Sequence, residues 1–244
     1  MEQFLQLDRE LAEQAIAQYQ DSPDPRMRHR IHQMIAIMGR RRARADFIQA
    51  VRKEDMTLWD GVVQINALYD LHCRVDEVEE RIAACRKELG PGRITTARIA
   101  ACMRDCELLV PREDVLDIDL FLIERVLATG YGCPAILCAL AQHIGAARGW
   151  NPTIVLYDGR FCLCDAHDFV INPSENWHVE KLAESDRIHP CARKNVWLGI
   201  LTQLFLVSLV DGNLRDLYHF GDLLTALNDD SLDTLPYPLG TSRP

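Results

Sequence analysis

The chain has 244 residues, 48% hydrophobic and 26% charged, a balance that excludes a disordered or fibrous protein and can bury roughly three quarters of the unfolded surface without disulfides. Its 27 Lys and Arg against 36 Asp and Glu leave a net charge of -9, which argues against a nucleic-acid or anionic-membrane partner. The acidic opening Met1–Glu10 lacks the basic and apolar regions of a secretion signal, so a cytoplasmic location is expected, where the nine cysteines would stay reduced.

From Pro25 to Asp55 the charge inverts locally: Arg26, Arg28, Arg30, Arg40, Arg41, Arg42, Arg44, Arg52 and Lys53 meet few acids. This stretch could dock an acidic partner. With Phe47 the one aromatic among them, too little for a stacking platform, the solvated face of two helices is the better reading. Next come two amphipathic helices. One opens with a Thr57/Asp60 capping pair and carries Leu58, Val62, Ile65 and Tyr69 at helical spacing. The other starts near Asp76 and Glu79, carries Val78, Ile82, Cys85 and Leu89, and stops at Gly90-Pro91. Further helices are predicted around Thr96–Cys106 and Ile118–Leu127.

After Gly132 a buried helix is predicted, with Ile136, Leu137, Leu140, Ala141 and Ile144, stopped by Gly149. The period then shortens, and three strands are predicted, Thr153–Tyr157, Arg160–Cys164 and Phe169–Ile171, joined by Asp158-Gly159 and by the turn Asp165–Asp168. Trp150 and Trp177 flank these strands as core-closing residues. A helical hairpin, Asn195–Val210 and Leu214–Leu227, ends the ordered pattern. Its apolar run Trp197–Val210 is broken by Thr202, Gln203 and Ser208 and is too short to span a bilayer. The expected fold is α+β and predominantly helical: a helical region over 1–112, a core with a small antiparallel sheet over 113–180, the hairpin over 181–230 and a loose tail over 231–244, all in one compact unit.

Nine cysteines invite a metal reading, but the pairs Cys102/Cys106, Cys133/Cys138 and Cys162/Cys164 contain no two-residue knuckle. A Cys162, Cys164, His167 set would need two ligands on one strand face and the third in the following turn, and buried small hydrophobes fit better. No metal or other cofactor is expected. Cys133 is different. It sits at the first turn of a helix, where free backbone N–H groups and the helix dipole favour a thiolate. A helical cysteine followed by an antiparallel sheet supplying a histidine and a carboxylate or amide is the order of cysteine acyl-transfer enzymes.

The stretch GCPAILCALAQHIGA, with the approach segments LWDGVVQINALYDLHC and DIDLFLIERVLATGYG and the closing NVWLGILTQLFLVSLVDGNLRDLYHFGDLLTALNDD, resembles the SirB-type transglutaminase-like family over about Met34 to Asp230. The resemblance implies a papain-like or transglutaminase-like core. It puts Cys133 in the nucleophile position, a histidine at the start of the second strand, and an acid just before a proline on the third. Here those last two positions hold Arg160 and Asn172. Arginine stays protonated and cannot take the thiol proton, although it could lower the Cys133 pKa as a neighbouring cation.

His167, beside Asp165 and Asp168, is the best replacement base, but it lies in the turn that begins some five residues on from the histidine position, roughly 15 Å at extended rise. His143 is about 15 Å along the helix from Cys133, and His178 follows the third strand. Two readings remain. One is a non-catalytic transglutaminase-like binding or regulatory protein, acting through the old cleft or its helical surfaces, with Arg160 holding a small anion or a partner's carboxylate. The other is a cysteine acyl-transfer enzyme, with Cys133, His167 and Asn172 as its candidate catalytic residues.

Overall fold

The structure is a computed structural model that describes residues 19, 22–70, 73–113, 115–183 and 187–228. The tail expected over 231–244 lies outside the described residues. The chain divides into two compact units, Met1–Phe47 and Ile48–Pro244, so the second unit contains the expected core, the hairpin and the helices before them without a break at 112 or 180.

Helix α1 (Pro25–Lys53) holds the basic stretch in a single helix instead of the two expected. No proline or glycine pair interrupts it, and the lone Gly39 is tolerated. Its arginines are mostly exposed, as a solvated face requires.

Helices α2 (Leu58–Tyr69), α3 (Val75–Glu88) and α4 (Thr96–Asp105) fall where periodicity places them. Thr57 caps α2, its hydroxyl oxygen accepting from the Asp60 N–H at 3.1 Å. The expected helix over Ile118–Leu127 is instead two pieces, a 3-10 turn (Ile118–Phe121) and α5 (Ile123–Thr129), separated by extended Leu122. The break has a tertiary cause: the buried Asn66 side chain of α2 accepts the Glu124 N–H at 3.1 Å, serving an otherwise unpaired amide at the α5 start.

Helix α6 (Pro134–Ala146) is buried along Ile136, Leu137, Leu140, Ala141 and Ile144. It packs on a five-stranded antiparallel sheet of order β4-β3-β2-β1-β5. Three strands match the expectation closely: β1 (Thr153–Tyr157), β2 (Arg160–Cys164) and β3 (Phe169–Asn172). The two edge strands, β4 (His178–Lys181) and β5 (Ile188–Pro190), were not expected. They are short and largely exposed, with no apolar alternation to betray them, and Pro190 can sit in β5 because an edge need not donate on both sides.

Cys162 and Cys164 do share a strand face. They pack with Val155 and Val170 in a buried apolar cluster, as small hydrophobes do. Trp150 and Trp177 are buried core residues. Helices α7 (Arg193–Val210) and α8 (Leu214–Asn228) form the hairpin, with Gly212 in the left-handed conformation at the turn. Among the described residues no helix is long and apolar enough to cross a membrane.

Candidate functional site

The segment leading into Cys133 is fixed by three backbone hydrogen bonds. Gly130 closes α5 at φ +81°, where an added Cβ would lie 2.6 Å from the Glu107 carbonyl oxygen; only glycine fits there. The Leu109 N–H then donates to the Gly130 carbonyl at 2.8 Å, and the Gly132 N–H donates to the Leu109 carbonyl at 3.0 Å. The Cys133 N–H donates to Leu120 O at 2.8 Å, and Pro134 starts the helix at its first position, where a missing N–H costs nothing. Cys133 is therefore the N-cap residue of α6, one position before the first turn that the sequence anticipates.

The electrostatics do not follow that anticipation. The Cys133 side chain is buried, and burial pushes its thiol up to about 12 even though the Ile136 and Ala135 amides favour the thiolate. Desolvation outweighs the helix end here. At neutral pH the group is a thiol.

The partners implied by the resemblance occupy the expected strand positions. Arg160 is the first residue of β2, and Asn172 is the last of β3, followed by Pro173. Arg160 does not act on Cys133: its positive charge registers on Cys162, where burial and Glu175 prevail and push the thiol up to about 12. The Asn172 side-chain oxygen is committed to the Ser174 N–H at 3.0 Å, capping the 3-10 turn Pro173–Glu175. Its amide is a structural cap and orients no imidazole among the described residues.

His167 is removed from the site altogether. It lies in the β2–β3 turn, bordering the same recess as Arg148 and Trp150 beyond the C-terminal end of α6. Cys133 is at the other end, about 20 Å along a helix of this length. His143 stacks on Trp59, ring centroids 4.5 Å apart, and accepts from an Arg86 guanidinium N–H at 2.7 Å. Because arginine can only donate, His143 Nε2 carries no proton there, and burial with Arg86 lowers its pKa. His178 stands opposite Asn172 across the β3–β4 pair but is exposed. None of the three histidines is hydrogen-bonded to Cys133 among the described residues.

The expected anion cleft around Arg160 is also not one. Arg160 and Asn172 border a recess of about 370 Å³ together with Asp158, Glu175 and Glu180. Arg160 Nη1 lies 3.6 Å from Glu175 Oε1. Three carboxylates against one paired guanidinium make this a poor place for an anion. Beside it, and sharing Glu175, a larger recess of about 1040 Å³ is bordered by Pro111, Asp117, Asp119, Tyr131 and Ser174. Tyr131 is half exposed and only two residues before Cys133. No local pattern marks it in the sequence: a single tyrosine between two glycines has no periodicity or motif to set it apart.

Among the described residues, no group of three or more His, Cys, Asp or Glu side chains is arranged to hold a metal ion. No family model, no curated protein and no solved structure matches the chain.

Proposed function

We propose that this chain is a SirB-like transglutaminase-fold protein that has no transglutaminase or protease activity and works by binding. The observation that carries the reading is the state of Cys133: a buried thiol, pushed up to about 12, with Arg160 and Asn172 at the positions where a base and its orienting acid would stand. The helix-on-antiparallel-sheet order and the place of Cys133 at the helix start support the likeness. The missing base argues against turnover, since an unactivated thiol at neutral pH is a weak nucleophile.

The adjoining recesses at this end of α6 carry more carboxylates than cations: Asp158, Glu175 and Glu180 against Arg160 in one, and Glu113, Asp117, Asp119 and Glu175 against Arg112 in the other. Their complement is a protein segment bearing Lys or Arg. The small anionic ligand expected at Arg160 does not suit them.

The test is amine incorporation into a glutamine-containing donor peptide, together with covalent labelling by a peptide vinyl sulfone. Both are run on the unmodified protein and on Cys133→Ala. The expected result is no incorporation and no labelling at Cys133, so that the two proteins are indistinguishable. Cys133-dependent incorporation or labelling would overturn the reading and restore the acyl-transfer alternative.

A further inference from the structure

Beyond the C-terminal end of α6, away from Cys133, lies a second recess of about 650 Å³, within the range of small-molecule sites. Its charge runs against that of the chain. Although the protein carries a net charge of -9, this recess is bordered by Arg93, Arg148 and His167, with Asp165 as the single carboxylate among the residues lining it.

Asp165 is already engaged by three donors and by the nearby His167. It accepts from the Thr96 hydroxyl, from the His167 N–H at 2.7 Å and from the Phe169 N–H at 3.0 Å. Its task is to hold the β2–β3 turn against α4. The two arginines are less engaged. Among the described residues, the Arg93 guanidinium has no hydrogen-bond or ion-pair partner, and the His167 ring makes no hydrogen bond. Arg148 uses only Nη1, donating to the Gly90 carbonyl at 2.9 Å. Thr96 and Ala97, the first residues of α4, border the same recess, so the positive end of that helix dipole adds to the arginines.

Trp150 and Phe169 supply an apolar wall. Trp150 is buried, with its indole N–H donating to the Thr96 hydroxyl at 3.4 Å and its ring pressed so close to Gly145 that a Cβ there would lie 2.3 Å away. Phe169 leaves part of its ring open to the recess.

We infer that this recess binds a phosphate monoester, with the dianion between Arg93 and Arg148 and the organic group against Trp150 and Phe169. Guanidinium forks match phosphate oxygens two at a time, and a dianion answers two arginines better than a monocarboxylate does. This inference stands apart from the proposal for the Cys133 end: it involves none of that site's residues, and either can fail alone.

The test is isothermal titration of the full chain with phenyl phosphate, inorganic phosphate and phenylacetate, repeated on Arg93→Ala and Arg148→Ala. Both arginines are exposed, and thermal unfolding checks that each variant stays folded. Phenyl phosphate is expected to bind saturably and more tightly than phenylacetate, with affinity falling about tenfold or more in each variant, the loss of a charge-assisted contact. Inorganic phosphate binding as tightly as phenyl phosphate, and equally dependent on both arginines, would support the site with free phosphate as its ligand. No saturable binding of either phosphate at about 10 mM, enough to reveal even millimolar affinity, would overturn the inference. So would affinities unchanged in both variants.

Discussion

The buried thiol at the start of α6 makes a quantitative prediction about its own reactivity. Only the thiolate attacks an alkylating reagent. Burial moves the Cys133 thiol from an ordinary 9.0 up to about 12. Three units cut the thiolate fraction at pH 8 by about a thousandfold, equivalent to about 4 kcal/mol. Cys133 in the native protein should therefore react with iodoacetamide about a thousandfold more slowly than in the urea-unfolded chain, read as the rate of peptide modification by mass spectrometry. A native rate within tenfold of the unfolded one would refute the reasoning, because it would mean that the helix-end amides of Ala135 and Ile136 offset most of the desolvation. A second readout follows from linkage. A thiol whose folded pKa lies above its unfolded value contributes stability that is present below about pH 9 and lost as the pH rises towards about 12. Stability to urea should thus fall across that window, by up to about 1.4 kcal/mol per pH unit for each such thiol, and Cys133→Ala should flatten part of the slope.

Two substitutions probe the packing that positions the site. In Gly61→Ala the new Cβ would lie 2.3 Å from the Trp197 indole, which is buried and donates to the Leu58 carbonyl at 3.0 Å; a loss of about 1–3 kcal/mol is expected from overpacking, and an unchanged thermal midpoint would contradict it. Trp177 is wholly buried at φ +60°, and its indole N–H donates to the Leu108 carbonyl at 2.6 Å. Trp177→Phe removes the donor while keeping a ring, so it should cost about 1–3 kcal/mol in chemical unfolding, and a variant as stable as the parent would show that the bond contributes nothing.

Where local chemistry decides, the residues themselves were enough. The Thr57 cap, the apolar stripe from Ile136 to Ile144 and the three central strands follow from side-chain period and turn residues alone, because those signals act between near neighbours in the chain. So does the place of Cys133 at a helix start. What that cysteine can do was decided elsewhere. Its protonation depends on burial by residues distant in sequence, and the Asn172 amide is consumed by a cap that becomes visible only once the turn after β3 is formed. The α5 break is set by Asn66 reaching across from another helix. The exposed edge strands gain their order from pairing, not from pattern. The charge of each recess was likewise beyond one-dimensional reading. Glu175 comes to sit against Arg160, while Arg93, Arg148 and His167 converge from three separate segments. A field is the sum over neighbours in space, and only the tertiary structure says who those neighbours are.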